Sequence, residues 1–364
     1  MPQRLFFCAA LLAVSILPLF AHDYTAHVTM QKVGDGVYLF TSSRHGDVGF
    51  VGNSVAVLSD GGVLVFDAGC VPSDSAAVLT ELRKLTDKPV RYLVNSHWHW
   101  DHWQANQTYK DAFPELQIIS QENTRILMRE VSVPRTQNDL KDLPPYIASL
   151  EKDLAAKKAA RAPDGELRDL EQLLAADKNF LAQKQSVRFT YPNFTFGESA
   201  AIWLGGREIR LFHAQAITSG DTYLYLPKEK ILVTGDILVR PIPFAVGGTF
   251  PADWIATLQK LISLAPNVVI PGHGEPQGAK EALEQNLRLF QRAVQEVRDA
   301  KARGLSEEQA VESIGKKEAD LAAIIGISDA KLLPAFKPYF LDVFLHRAYL
   351  ELDHPLTDLP SPKP

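Results

Sequence analysis

The sequence predicts an α/β protein made of two similar halves, each a β-sheet covered by helices, with two helical additions. Strand-like and helix-like segments alternate over residues 27–131 and again over residues 199–274. Between the halves, residues 134–189 carry apolar side chains at helical spacing only, and the chain after residue 274 has the same character. This order of elements is typical of sheets packed under helices.

The two halves contain several strand candidates, each a short run rich in β-branched or aromatic residues. These are residues 37–41, 54–59, 63–67, 92–96 and 116–120, then 201–204, 208–213, 222–226, 231–234 and 268–270. Apolar spacing predicts a helix over residues 75–85, with Ser73 or Asp74 as its N-cap, and another over residues 253–264. Each half therefore combines a sheet with at least one helix.

The insertion between the halves predicts an antiparallel helical hairpin. Pro144 and Pro145 open its first helix, and the Pro-Asp-Gly turn signal at residues 163–165 separates that helix from a second one. Interleaved charged residues indicate a solvated outer face. Two interpretations stay open: a lid over the functional edge, or a surface decoration or oligomer contact.

The C-terminal extension is predicted to be helical. Residues 281–303 form a long amphipathic helix, and the run SEEQ at residues 306–309 matches a capping box that starts another. Residues 341–350 predict a last helix, and the Pro-rich end at residues 355–364 is expected to fray.

A cluster of metal-ligand side chains follows the fourth strand candidate. Residues 96–102 read SHWHWDH, which places His97, His99, Asp101 and His102 within six residues. Imidazole nitrogens and carboxylate oxygens are the usual protein ligands of zinc, at about 2.0–2.2 Å. The spacing is too tight for one helical face and suits a loop leaving a strand end, where side chains turn inward on one or two ions. A surface histidine cluster is the alternative to a metal-dependent enzyme.

The run HWHWDH resembles the His-x-His-x-Asp-His motif of the metallo-β-lactamase superfamily. Other segments resemble the family's opening strand and turn, its bridging-carboxylate motif and its last-histidine motif: GVLVFDAG at residues 62–69, VTGD at 233–236 and VVIPGHG at 268–274. The resemblance covers about residues 37–274. It implies a four-layer αβ/βα sandwich whose ligands lie on loops at one edge, between the sheets.

The same resemblance implies a two-position metal site. The first position would use His97, His99, a third histidine and the bridging carboxylate of Asp236. The second position would use Asp101, His102, Asp236 and His273. The family's third motif, His-Thr-x-Gly-Asp, reads ITSGD here, so Ile217 stands where the third histidine is expected. His213 is the alternative ligand, although it ends a strand-like run.

Zinc is the expected cofactor, as one or two ions. Without the third histidine, the first position keeps two imidazoles and the shared carboxylate, which together with water still make an acceptable catalytic zinc shell. The second position keeps all four ligands, so we expect it to fill first. Asp101 is also the expected catalytic group, which binds metal and orients or deprotonates the attacking water.

The resemblance implies a zinc-dependent hydrolase that uses a metal-bound hydroxide on a carbonyl substrate, namely a lactam, lactone, ester or thioester, and the first 21 residues indicate that it is exported. Two alternatives remain. Ile217 favours a non-catalytic metal-binding protein, and the same ligand types would suit an iron-dependent oxygenase of the superfamily. The sequence contains neither a Gly-x-Ser-x-Gly elbow nor a phosphate-binding glycine motif, which argues against a serine nucleophile and a nucleotide cofactor.

Residues 1–21 resemble a secretory signal, with Arg4 ahead of an apolar core too short to span a membrane. An uncleaved anchor is the alternative. We therefore expect a periplasmic or secreted protein without membrane association after signal removal. The predicted organisation is a signal at residues 1–21, a metallo-β-lactamase-like domain at 22–290 that includes the insertion, and the extension at 291–364.

The charge limits the kinds of partner that we expect, and the cysteine content excludes an intramolecular disulfide. The net charge is −5 at pH 7 and the sequence shows no basic stripe, so we expect a small-molecule substrate and no nucleic-acid partner. Cys70 is the only cysteine after residue 21, so no intramolecular disulfide can form. The oligomeric state stays open.

Residues 44–50 (RHGDVGF) suit either a flap over the site or a plain hairpin loop.

Overall fold

Two β-sheets form the centre of the protein, whose computed structural model describes residues 27–278, 280–329 and 331–360. The first sheet contains, in spatial order, β1 (Val28–Gly34), β2 (Val37–Ser42), β3 (Ser54–Ser59), β4 (Gly62–Phe66), β5 (Val90–Val94), β6 (Gln117–Gln121) and β7 (Phe194–Phe196). The second contains β8 (Ser199–Leu204), β9 (Arg207–Ala214), β10 (Asp221–Leu226), β11 (Ile231–Val233), β12 (Val268–Ile270) and β13 (Gln277–Gly278), also in chain order. The predicted signal at residues 1–21 lies outside the described residues.

The helices lie on the outside of the sheets and in the two additions. They are α1 (Pro72–Arg83), α2 (Trp100–Trp103), α3 (Asn106–Ala112), α4 (Glu122–Leu127), α5 (Val133–Ala159), α6 (Asp164–Ser186), α7 (Pro251–Ser263), α8 (Glu281–Ala302), α9 (Glu307–Gly315), α10 (Glu318–Ala323), α11 (Leu333–Phe336) and α12 (Asp342–Glu351). Within the described ranges, none of them has the length and apolar character needed to cross a membrane.

Three apolar cores hold four layers together. Between the sheets, Val57 of the first sheet and Leu224 of the second belong to one buried cluster. The outer face of the first sheet packs on α1 through residues such as Leu82. The outer face of the second packs on α7, α8 and the extension, around Leu232 and Phe290. Full burial of each such side chain contributes about 1.5–3 kcal/mol. The predicted four-layer sandwich is confirmed.

Parallel strands bring the predicted site loops to one edge. Strands β4, β5 and β6 run parallel, as do β11 and β12. Asp67 directly follows β4, the histidine-rich loop follows β5, Asp236 follows β11 and His273 follows β12. The carboxyl ends of parallel strands meet at one edge of their sheet, so the loops of each sheet lie close together. Packing of the two sheets against each other brings the two sets of loops together.

The insertion is a helical hairpin, as predicted, made of α5 and α6. The prediction that Pro144 and Pro145 open the first helix is wrong, because α5 begins at Val133 and contains both prolines. It continues from α4 through the wide helical turn Met128–Ser132. Both prolines are exposed, so water can bind the backbone carbonyls that lose their N–H partners.

The extension is helical, as predicted, and continues the core of the second half. The capping box is confirmed: Ser306 accepts from the Gln309 N–H, and the Gln309 side chain accepts from the Ser306 N–H. The expected fraying is wrong for part of the Pro-rich end. Asp358 accepts a 2.9 Å hydrogen bond from the Ser219 N–H, and Leu359 packs against the buried cluster around Trp98.

Candidate metal centre

The chain brings the six predicted ligands together at the sheet edge. His97 and His99 lie in the loop after β5, and Asp101 and His102 lie in α2. Asp236 lies in a short helical turn, Gly235–Ile237, and His273 follows β12. Except for the partly exposed His273, each of them is at most 6% exposed. The six side chains form two groups, which are His97, His99 and Asp236, and Asp101, His102 and His273.

The second group, together with Asp236, has the dimensions of a tetrahedral site. Asp101 Oδ2 lies 3.2 Å from His102 Nε2 and 3.0 Å from His273 Nε2. Asp236 Oδ1 lies 3.3 and 3.5 Å from the same two nitrogens. A tetrahedral zinc with bonds of about 2.0–2.1 Å separates its ligand atoms by about 3.3–3.4 Å. These four separations lie close to that spacing, so the four atoms are placed to share one ion.

Unpaired polar atoms support the same fit. In the described part of the chain, Asp101 Oδ2, His102 Nε2 and Asp236 Oδ1 are buried and make no hydrogen bond. Buried polar atoms in native proteins nearly always have a partner, because leaving one unpaired costs about 1–3 kcal/mol. Three such atoms that converge on one point indicate a place for a cation.

The first group has three candidate ligands. His97 Nε2 lies 2.8 Å from His99 Nδ1 and 3.8 Å from Asp236 Oδ2, so Asp236 lies between the two groups as a bridging carboxylate would. Ile217 is fully buried in the apolar core of the second half. His213 does not replace it, because its Nε2 lies 3.0 Å from the Ser219 carbonyl oxygen and its ring belongs to neither group.

Burial keeps two imidazoles in their metal-binding form. It lowers the pKa of His99 to about 4 and holds the pKa of His97 well below its usual range. Burial alone would raise the pKa of Asp101, but the neighbouring His102 holds it well below its usual range. Neutral imidazole and ionised carboxylate are the forms that bind metal ions.

Asp67 is a site residue that the sequence analysis did not single out. His102 Nδ1 donates to Asp67 Oδ2 at 2.9 Å, and the Ser96 N–H donates to Asp67 Oδ1 at 2.7 Å. The carboxylate therefore fixes the ring so that Nε2 faces the centre, as outer carboxylates do for metal-binding histidines. Its φ of 63° is unfavourable for a residue other than glycine, which marks a strained position at the site. Its place directly after β4 is the sequence signal that could have identified it as a site residue.

The three tryptophans around the ligands have different surroundings. Trp103 is fully buried and its ring stacks on Tyr191, which is ordinary packing. Trp98 lies edge-on to His99 with ring centroids 4.6 Å apart, so it forms part of the apolar wall of the centre. Trp100 lies 4.9 Å from Phe50.

The loop before β3 lies beside the centre and is held by the hairpin. The Phe50 ring is 5.9 Å from His273. Asp177 of α6 accepts a 3.1 Å hydrogen bond from the Asp47 N–H. Gly46 has φ of 59°, and a Cβ there would lie 2.0 Å from Asp177 Oδ1, so a larger residue would be strained and would clash with α6. The hairpin thus supports the loop that carries Phe50.

We expect replacement of Asp177 by asparagine to make folding less sensitive to pH. Burial raises the pKa of Asp177 to about 7. An acid whose pKa is higher in the folded chain stabilises the fold below its unfolded pKa of about 3.9, and that contribution is lost as the pH rises towards 7. Asparagine can still accept the Asp47 N–H. Between pH 5 and pH 8, the wild type should therefore lose about 1–2 kcal/mol of unfolding free energy relative to Asp177→Asn.

Urea unfolding of both proteins at the two pH values measures this difference. The control is Asp169→Asn, an exposed position on the same helix, which should follow the wild type. Equal pH dependence of Asp177→Asn and Asp169→Asn would contradict the assignment.

Comparison with known proteins adds the family. A family model described as the metallo-beta-lactamase superfamily matches residues 47–273. Among curated proteins, a linear primary-alkylsulfatase from Pseudomonas sp. (strain ATCC 19151) is 26% identical over 263 residues, which are 70% of this chain and 48% of that protein. The chain thus spans about half the length of this relative.

Solved structures show the same fold. A metallo-beta-lactamase from Pontibacter korlensis superposes with a TM-score of 0.53 at 19% identity, over 73% of this chain and 99% of that one. The DIM-1 metallo-beta-lactamase exposed to ceftazidime gives a TM-score of 0.50 at 18% identity, over 74% of this chain and 100% of that one. At such identities the likeness concerns the fold alone.

Proposed function

Because the chain belongs to the metallo-β-lactamase superfamily, we propose that it is an exported, zinc-dependent hydrolase of a carbonyl substrate, namely a lactam, lactone, ester or thioester. The observation that carries this proposal is the pair of ligand groups that share Asp236. Zinc is proposed because imidazole and carboxylate ligands at tetrahedral spacing suit it. The export part of the proposal depends on residues 1–21 and is tested by the N-terminal sequence of the protein recovered from outside the cytoplasm.

The proposed hydrolysis would use the chain's own groups around the ion. A zinc ion bound here would supply Lewis acidity, which lowers the pKa of a water molecule and polarises a substrate oxygen. Asp101 has a pKa well below its usual range, so its carboxylate stays ionised and can orient a water or accept its proton. Asp67 accepts a hydrogen bond from His102 Nδ1, which fixes the orientation of the His102 ring. Burial of the ligands limits bulk water, which strengthens charge interactions in the site.

We propose that the second position fills with zinc before the first. Its four candidate ligand atoms come from Asp101, His102, Asp236 and His273, and their carboxylate–imidazole distances of 3.0–3.5 Å are close to those of a tetrahedral site. The first position has three candidate ligands, because Ile217 replaces the family's third histidine. A position with three protein ligands leaves room for water or substrate, which is the arrangement of catalytic zinc sites.

An Ile217→His variant tests this order of filling. The zinc content after dialysis against limiting zinc should rise from about one towards two ions per chain, because an imidazole would complete the first position. In zinc-free buffer, the buried imidazole should cost about 1–3 kcal/mol of unfolding free energy, and added zinc should restore it. Elemental analysis and urea unfolding measure the two effects. Ile217→Gln is the matched control, and two tightly bound zinc ions in the wild type would contradict the proposal.

Sulfate-ester hydrolysis is the second candidate function. It is favoured by the 26% identity to a linear primary-alkylsulfatase over 70% of this chain. A non-catalytic metal-binding protein and an iron-dependent oxygenase remain alternatives, since the same ligand types suit iron.

A substrate panel distinguishes these functions. Nitrocefin, an aliphatic lactone, p-nitrophenyl acetate, an acyl thioester and decyl sulfate are each incubated with zinc-loaded protein, with chelator-treated protein and with His102→Ala. Zinc-dependent turnover of a carbonyl compound supports the leading proposal. Turnover of decyl sulfate alone supports the second candidate instead. Oxygen uptake by iron-loaded protein, or no turnover of any compound, overturns the proposal of a zinc hydrolase.

A further inference from the structure

A further cluster of metal-ligand side chains lies outside the centre described above. His45, Cys70 and Asp74 each offer one ligand atom, and these atoms all lie within 4.8 Å of one another. The three residues belong to neither ligand group of the centre, and each of them is at most 5% exposed. Thiolate, imidazole and carboxylate are the side-chain groups that bind zinc in proteins. The cluster therefore has the composition of a zinc site.

Local backbone structure brings these three side chains together. Asp74 Oδ2 accepts hydrogen bonds from the Cys70 N–H at 3.1 Å and from the Val71 N–H at 3.0 Å, which fixes the carboxylate at the start of α1. His45 approaches from the loop before β3, where its N–H and its carbonyl oxygen both pair with Gly49 in a tight hairpin. His45 Nε2 lies 2.7 Å from the remaining oxygen, Asp74 Oδ1. Two ligand atoms are thus held side by side next to the thiol.

Apolar side chains surround the cluster. Cys70 belongs to a buried apolar group with Val71 and Phe180, and the Phe180 ring lies 5.6 Å from the His45 ring. An apolar shell around polar ligands limits solvent access and lowers the local dielectric. These surroundings suit a structural ion that is closed to solvent, in contrast to a catalytic ion with an open position.

A buried ammonium lies near the cluster and has partners of its own. Lys184 of α6 donates to Gln104 Oε1, and its Nζ lies 4.4 Å from the centroid of the Trp100 ring. Burial raises the pKa of Cys70 well above its usual range, and the charge of Lys184 opposes that rise. A cation beside a cysteine favours the thiolate, which is the form that binds metal.

We propose that His45, Cys70 and Asp74 form a further metal position, the Cys70 position, for a thiophilic divalent cation such as zinc. The ion would tie the loop of residues 44–50, which carries Phe50 beside the metal centre, to the start of α1. On binding, the thiol sulfur forms a bond to the metal and its proton passes to the solvent. The role is structural, so the proposal does not depend on the proposed hydrolysis.

The Cys70 position should fill only after the metal centre. The 2.7 Å between His45 Nε2 and Asp74 Oδ1 is shorter than the spacing of about 3.3 Å in a tetrahedral zinc site, so the two groups must move apart. Loss of the thiol proton from a buried cysteine opposes binding as well, and Lys184 repels an incoming cation. Limiting zinc therefore leaves this position without metal, and excess metal loads it.

Cobalt(II) is the probe that distinguishes the Cys70 position from the centre. It replaces zinc in sites of this kind, and a thiolate bound to it gives an intense near-ultraviolet charge-transfer absorption that imidazole and carboxylate ligands do not give. The six ligands of the centre contain no sulfur, so the absorption reports a cysteine alone. Metal-free wild type at pH 8 should gain the absorption only after the centre has filled, up to one thiolate-bound cobalt per chain.

Variants assign the absorption to its ligands. Cys70→Ser should abolish it, and the matched control Cys8→Ser should retain it. His45→Gln keeps the thiol and should weaken cobalt binding at the Cys70 position by at least about tenfold, since loss of even an outer partner of a metal ligand costs about 10–100-fold. His354→Gln, which changes an exposed histidine, should match the wild type. Circular dichroism checks the folding of each variant.

Three results would overturn the proposal: no charge-transfer absorption in folded wild type with excess cobalt, equal cobalt affinity of His45→Gln and His354→Gln, or loss of the absorption in folded Asp236→Ala. The last variant should lose cobalt from the centre and keep the Cys70 position. Zinc-dependent turnover without the absorption would refute this inference alone. The absorption without turnover of any substrate would refute the proposed function alone.

Discussion

Replacement of Asp236 by alanine should empty both metal positions at once. Asp236 lies 3.3 Å from His102, 3.5 Å from His273 and 3.8 Å from His97, so it is the one candidate ligand placed to serve both groups. Loss of an outer partner of a metal ligand typically costs about 10–100-fold in metal affinity or activity. Loss of the shared ligand itself should exceed that range. Zinc content and turnover of the best substrate are the two measurements.

Asp236 is buried, so the alanine variant needs a folding check. Circular dichroism and the more conservative Asp236→Asn, which keeps the shape of the side chain, provide it. The matched control is Asp169→Ala, an exposed acidic position that should retain full zinc content. A folded Asp236→Ala variant that still binds zinc as tightly as the wild type would show that the two groups do not share this carboxylate.

Replacement of Phe290 by alanine should cost about 3–5 kcal/mol of unfolding free energy. Phe290 of α8 is fully buried and lies 4.7 Å from Trp254 of α7, 5.0 Å from Phe340 and 4.9 Å from Phe344. These rings join the extension to the outer face of the second sheet. Because they form one continuous core, we expect the loss to appear as a single unfolding transition of the whole protein.

Guanidinium chloride unfolding measures this cost. Phe194→Ala is the matched control, because Phe194 is 51% exposed and its loss should change stability by less than about 1 kcal/mol. If the extension unfolds in a separate step, or if Phe290→Ala costs no more than the control, the extension is a detachable unit.

The ligand cluster could be predicted from sequence because four of its members lie within six residues. Asp236 and His273 each follow a strand in a short motif, so the family resemblance could place them as well. Asp67 could not be assigned a role in this way. Its function depends on a contact with His102, thirty-five positions away, which exists only after the parallel strands align their ends.

The surroundings of Ile217 could not be predicted from sequence. The motif alone predicts a missing ligand, but it does not reveal that the aliphatic side chain belongs to the core of the second half. The edge strand β1 was missed because most of its residues are exposed, so its pattern lacks the alternation of a half-buried strand. The start of α5 was missed because proline normally ends helices, and here both prolines face water.

The docked segment near the C-terminus has a practical consequence. Asp358 holds the loop that carries Ser219, and Leu359 packs on the cluster that contains Trp98, the neighbour of His99. Proteolytic trimming just before these two residues would loosen the wall of the centre, although no ligand would be removed. We therefore expect a C-terminal change that breaks these two contacts to lower the zinc content of a purified preparation for reasons unrelated to its chemistry.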